Sequence, residues 1–182
     1  MGWIMHIRRD GVTMSVAARS LQLSARQGEL LKPPTDDLAV QHVLQSMTAN
    51  PPRLTAEVLA IKHVGAGAGV SYGHTFRTAS ATTLLLVAIG YGHGLPRKAG
   101  NRASVSWGDH AVQMPIVGRV AMDVLVVDAG DAAVTPGDTV VIFGNPETGE
   151  LSLEEWCRSI DEHPFSVLAC LARRLTPEAA GG

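Results

Sequence analysis

Residues 84–97 read LLLVAIGYGHGLPR, and the rest of the chain is organised around them. The apolar run 84–89 predicts a fully buried strand that ends at Gly90. Beyond it Tyr91 and His93 are held between Gly90, Gly92 and Gly94, and Pro96 and Arg97 close the loop. Glycine admits positive φ and close backbone approach, so such a loop can present Tyr91 and His93 at a strand end. A rigid strand delivering two proton-transfer side chains is a common way for a scaffold to display chemistry. A Gly-rich β-turn with a half-buried tyrosine is the other reading, and the spacing alone leaves both open.

Working outward, 182 residues with 46% hydrophobic content suffice for one sizeable core, or one domain and an appendage. A net charge of −2 argues against an electrostatic binder of nucleic acid. The two cysteines, Cys157 and Cys170, lack metal or disulfide spacing, so a reduced, cytoplasmic protein is expected. No apolar run approaches the about 20 residues needed to cross a bilayer, and no membrane association is expected. The start, MGWIMHIRRDG, puts its charges after a short apolar stretch and does not read as a secretory leader.

Residues 1–52 predict a helical N-terminal extension: a short strand or turn after Val12, a helix toward residue 31, and a second helix over 38–47 capped from Thr35-Asp36-Asp37. Asn50-Pro51-Pro52 breaks the pattern and marks the main boundary. Strand texture follows. Residues 54–64 alternate, 65–69 are a glycine-rich turn, and 70–77 read as a second strand. Residues 103–117 read as a hairpin turning at Gly108-Asp109, and 120–128 and 138–143 as further strands. Ser152 and Glu155 form a capping box for a helix over 153–160, residues 165–171 predict a last strand, and 179–182 a tail. Six to eight short strands and one late helix imply a mainly β antiparallel barrel or sandwich over residues 53–178.

Several residues could carry chemistry. A phenol ionises near pH 10, at about 10 in model peptides, so Tyr91 as a base calls for a nearby cation. Arg97, Arg102 and Arg119 are the candidates. His93 titrates near neutrality unaided, and is otherwise a solvent-exposed loop histidine. In Gly118-Arg119-Val120-Ala121-Met122-Asp123, exposed main-chain amides at Met122 could receive a carboxylate; a core methionine beside a capping aspartate is the plainer reading. No two of the seven histidines have metal-pair spacing, so no metal site is expected.

Taken together, residues 54–76, 89–97, 101–106, 115–123 (PIVGRVAMD), 137–144 and 165–174 resemble the C-terminal β-domain of the alanine racemase family. The resemblance runs in the family's order over about two-thirds of the chain and implies a small, Greek-key-like antiparallel β-barrel. It also implies that Tyr91 corresponds to one of two catalytic acid/bases, and that Met122 meets the substrate carboxylate through its main chain. In that family the β-domain reaches a pyridoxal phosphate site in the barrel of a dimer partner. The other base is the cofactor-bearing lysine of a (β/α)8 barrel, a fold that needs roughly 200 residues or more. Residues 1–52 are too few for that barrel, Lys32 precedes two prolines, and Lys62 lies in the β-domain. The chain alone is therefore not expected to racemise alanine. Gly92-His93 stands where the family has Ala-Asp. Phe165 replaces a tyrosine that touches the cofactor phosphate, and Thr176-Pro177 replaces a Pro-Arg.

Three functions are compatible with these residues. The leading expectation is a stand-alone, cofactor-independent isomerase or cyclase acting on a small apolar metabolite. Tyr91 and His93 would be its acid/bases, with Arg97, Arg119, Met122 and Asp123 binding substrate. An alternative is one subunit of a split racemase, lending Tyr91 and Met122 to a pyridoxal phosphate barrel on another chain; the oligomeric state is left open, a homodimer included. The third is a non-catalytic binding module. An enclosed apolar cavity at Tyr91 favours the first, and an exposed patch around it the second.

Overall fold

A computed structural model describes residues 4–9, 12–17, 51–108 and 111–174 of the chain. In chain order they form β1 (Ile4–Arg9), β2 (Val12–Ala17), β3 (Arg53–Val64), β4 (Gly69–Val70), β5 (Phe76–Arg77) and β6 (Thr82–Val87). There follow β7 (Ser104–Trp107), β8 (Val112–Val117), β9 (Leu125–Gly130), β10 (Thr139–Phe143), α1 (Leu153–Ser159) and α2 (Pro164–Arg174). Strands β3, β10, β7, β8, β9 and β6 pair in that order, all antiparallel, and β6 pairs back onto β3. The ring is a closed six-stranded barrel of the expected class. Closure removes the unpaired strand edges that an open sheet would expose.

The long strand β3 makes closure possible. Its first half pairs with β10 and its second half with β6, and a register shift between Val58 and Ala60 lets it bend from one neighbour to the other. Alternation then sends Leu54, Ala56 and Val58 inward, facing Leu85 and Val87 of β6 and Leu125 and Val127 of β9. Each such side chain taken from water contributes about 1.5–3 kcal/mol before the entropy of ordering is counted. The run 84–89 is apolar throughout because β6 is covered on both faces. Leu85 and Val87 fill the barrel, while Leu84 packs outside with Val70 and Val117.

Four stretches differ from the sequence expectations. Residues 70–77 are not one strand: the short ribbon β4–β5 pairs Gly69 with Arg77 and Val70 with Phe76, and a tight turn at Tyr72–His74 lies between. Residues 165–171 are helical and belong to α2, so the chain has a second late helix. Val167, Leu168 and Leu171 are its buried side chains, a spacing that fits a helix face as well as a strand. Pro164 at the first helical position and His163 Nδ1, which accepts from Phe165 N–H at 3.3 Å, decide for the helix. Residues 120–124 form a loop, and β9 begins only at Leu125. Finally, in the region expected to be a helical extension, β2 agrees with the short strand expected after Val12, but it is preceded by β1, with which it forms a hairpin, and it pairs with β3. The helices expected toward residue 31 and over 38–47, and the tail 179–182, lie outside the described residues. No described helix is long and apolar enough to cross a membrane.

Helix α1 closes one flank of the barrel. Phe143 and Trp156 meet edge-on with ring centroids 5.9 Å apart, and Trp156 Nε1–H donates to Ser104 O at 3.2 Å. The expected capping box is formed: Ser152 Oγ accepts from Glu155 N–H, and Glu155 Oε2 accepts from Ser152 N–H at 3.0 Å. The Ser152 backbone N–H, then its hydroxyl, hold the Glu155 carboxyl below its ordinary range, with Arg158 adding to the effect. A carboxyl depressed in the folded state stabilises the fold above its unfolded pKa, about 4.3. That contribution fades as pH falls through the lower folded value. In urea melts, Ser152→Ala should cost about 1 kcal/mol at pH 7. Glu155→Gln should be destabilising at pH 7 and converge on the wild type toward pH 3; a gap constant with pH would remove the charged cap from the account.

Candidate functional site

Three loops meet around the end of β6: residues 71–75, 90–102 and 118–124. Tyr91 N–H donates to Ala121 O at 3.0 Å and Gly92 N–H to Met122 O at 2.7 Å, so the second and third loops are joined backbone to backbone. The contact requires glycine. A Cβ on Gly90 would stand 2.4 Å from both Ala121 O and Met122 O, and one on Gly92 would stand 2.9 Å from Met122 O. Positive φ is not the issue at Gly90, which is extended at φ −151°.

The join presents Tyr91 and Met122 together. Tyr91 is 41% exposed and Met122 57% exposed. The Arg97 guanidinium lies over the Tyr91 ring, 5.3 Å from its centroid. Of the three arginines considered from the sequence, Arg97 alone makes this contact. Arg119 points across the site, its guanidinium carbon 3.6 Å from where a Cβ of Gly73 would stand. Asp123 is exposed, its carboxylate near Gly92, and Arg102 is exposed as well. Among the described residues the ion pairs are Arg53–Glu150 and Lys98–Glu162, so no described carboxylate pairs with Arg97, Arg102 or Arg119. Met122 N–H likewise donates to no acceptor among the described residues. The face therefore offers a phenol, cations and a main-chain donor with no acceptor among the described residues.

His93 is placed differently from Tyr91. It is buried, 4% exposed, and its Nδ1 accepts from Gly90 N–H at 3.2 Å. An imidazole accepting at Nδ1 carries its proton on Nε2, and here it braces the loop from within. The structure thus separates the two residues that the sequence set side by side: Tyr91 faces out and His93 faces in.

Tyr91 also borders an open groove between residues 94–96 and α2, with a volume of about 310 Å³, lined further by Glu162, Val167 and Cys170. This is a solvent-connected groove, not the enclosed cavity that a self-contained barrel enzyme calls for. Two contributors were missed in the sequence. Tyr72, 80% exposed, was read as part of a strand, although Gly73 beside it repeats the aromatic-glycine texture of Tyr91-Gly92. The α2 side of the groove was hidden by reading residues 165–171 as a strand.

Residues 52–178 match the family model of the alanine racemase C-terminal domain. Alanine racemase of Salinispora arenicola is 39% identical over 127 residues, covering 70% of this chain and 34% of that protein. The crystal structure of alanine racemase from D-cycloserine producing Streptomyces lavendulae superposes with a TM-score of 0.64 at 36% identity, over 71% of this chain and 33% of that one. The structure of the Bartonella henselae alanine racemase with covalently bound pyridoxal phosphate gives 0.60 at 33% identity, over 68% and 33%. The chain spans about a third of the length of the curated relatives it matches.

Two expectations follow from the geometry. Gly90→Ala should cost about 1–3 kcal/mol in chemical denaturation, because the new methyl meets the carbonyl oxygens of both Ala121 and Met122. A stability equal to wild type would mean that the loops can separate freely. Cys157 is buried, and burial, with Glu162 and Glu154 adding, pushes its thiol up to about 12, whereas Cys170 is exposed on the groove. A thiol-reactive dye should modify Cys170 alone in the native protein and both cysteines in urea.

Proposed function

The chain belongs to the alanine racemase C-terminal domain family, and from that premise we propose that its Tyr91 face completes an amino-acid racemase site whose cofactor is held by another surface. The observation that carries the reading is the open placement of Tyr91, beside exposed Met122 and beneath Arg97, on a face whose arginines pair with no described carboxylate. Such a face suits apposition to a second surface better than turnover within its own barrel.

The residues present fit the wall of a pyridoxal phosphate site and do not fit its holder. Of the two described lysines, Lys62 lies within β3 and Lys98 pairs with Glu162 at 3.0 Å. Phe165, in the first turn of α2, brings no hydroxyl to a phosphate. When bound in an apposed barrel, pyridoxal phosphate would make the amino acid's Cα–H acidic. The chain's own residues would then work as follows. Tyr91 Oη moves a proton to or from one face of Cα, as a positioned acid/base. Arg97 holds the phenol ring by stacking on its face. Met122 N–H, with no acceptor among the described residues, receives the substrate carboxylate, a role backbone amides fill well. His93 keeps the loop's shape from beneath.

A stand-alone isomerase or cyclase is the second reading. It draws on the groove beside Tyr91, whose volume of about 310 Å³ would admit a small metabolite.

One experiment separates the two. The chain is mixed with pyridoxal phosphate alone and with a cofactor-loaded racemase barrel lacking its own β-domain, and cofactor absorbance and D-alanine formation are followed. Racemisation is expected only in the mixture with the barrel. Tyr91→Phe should reduce it by about 10²- to 10⁴-fold without weakening association. Failure to associate, or equal activity in the Phe variant, would overturn the proposal.

A further inference from the structure

We infer that Asn101 is a positioning residue, a latch that sets the Arg119–Met122 loop, and through it Tyr91, in working geometry. The inference rests on the reading above only in taking the Tyr91–Met122 face as the working face.

Asn101, on the second loop, is hydrogen-bonded to both of the others. Its Oδ1 accepts from Gly118 N–H at 2.6 Å, at the root of the loop that carries Arg119 and Met122. Its Nδ2 donates to Thr75 Oγ1 at 3.4 Å, in the turn that carries Tyr72. Its own N–H donates to Ile116 O at 3.0 Å, which fastens it to β8. One side-chain amide thus spans two loops while its backbone is held by the barrel wall.

Local backbone geometry supports an assigned role. Asn101 has φ 61°, a left-handed conformation that asparagine tolerates better than most residues but that remains uncommon outside glycine. Gly118, its partner, has φ 76°, and a Cβ there would lie 2.6 Å from Ser71 Oγ. Ser71 itself is at φ 57°, ψ −177°, a region occupied essentially by glycine. Two non-glycine residues in costly conformations, Asn101 and Ser71, converge with Gly118 on one junction, and such strain persists only where surrounding contacts over-determine it.

The consequence reaches Tyr91 along the chain of contacts. Gly118 begins the loop whose Ala121 and Met122 carbonyls accept from Tyr91 and Gly92 N–H. If Gly118 loses its acceptor, the start of that loop is released, and the two bonds at its far end lose their fixed partners. Neither Tyr91 nor Met122 touches Asn101 in any contact described above, so the effect is one of placement.

The test is amide hydrogen exchange on the full chain, comparing wild type with Asn101→Gly and Asn101→Asp. Glycine keeps the left-handed backbone and removes the latch; aspartate keeps an Oδ1 acceptor for Gly118. Exchange at Gly118, Tyr91 and Gly92 should quicken about five- to tenfold in Asn101→Gly and return close to wild type in Asn101→Asp, with β6 and β9 unchanged in both. Unchanged protection at Tyr91 and Gly92 in Asn101→Gly would overturn the inference. So would a uniform rise across the barrel, which would mark Asn101 as a general stability residue. The readout needs no activity: protection lost and rescued without racemisation by any barrel mixture would leave the latch standing and remove the functional reading.

Discussion

Two backbone hydrogen bonds, Tyr91 N–H to Ala121 O and Gly92 N–H to Met122 O, are the constraint on which the site depends. They exist because Gly90 and Gly92 have no Cβ to hold the carbonyls away. Each bond contributes only on the order of 1 kcal/mol net, but both are anchored to strands of a closed barrel, so the loops have little freedom to drift. The barrel thereby turns two loops, which would otherwise be the most mobile parts of a small domain, into one presenting surface.

The same closure explains what this surface can and cannot be. The barrel interior around Leu54, Val58, Leu85, Val127 and Ile142 is occupied by the molecule's own side chains. The exposed candidates stand instead on the outside of the loop end, where Tyr91, Met122 and Tyr72 lie among arginines that pair with no described carboxylate. Under the proposed function, a phenol on an open, cationic face is half of a site and a second surface would supply the other half, which makes the domain a contributor to catalysis and not its container.

Much of this was legible along the chain. The strand at 84–87, the mainly β class and the capped helix α1 follow from runs, alternation and a cap signature that act over a few residues. The choice of barrel over sandwich came from the family resemblance, and the glycine-flanked Tyr91 was visible locally. Other elements were not. Val70 and Phe76 look strand-like singly, yet the turn between them exists because Ser71 must pass under Gly118, which lies far along the chain. Residues 165–171 carry a pattern that serves strand or helix equally, and Pro164 and His163 decide it. His93 and Tyr91 occupy equivalent places in a Gly-X-Gly-X-Gly texture, and nothing local distinguishes them.

The sequence by itself determined the mainly β class, with the barrel following from the family resemblance, and it marked Tyr91 as the candidate phenol, because hydrophobic periodicity and glycine placement are short-range properties written residue by residue. Tertiary structure alone decided which side chains face outward together. It turned His93 inward to Gly90 N–H, set Arg97 and not Arg102 or Arg119 over Tyr91, and brought Asn101 between loops some twenty residues to either side. The physical reason is that these outcomes depend on which strands are neighbours in the closed ring. Strand adjacency is set by long-range pairing, which no local pattern of residues encodes.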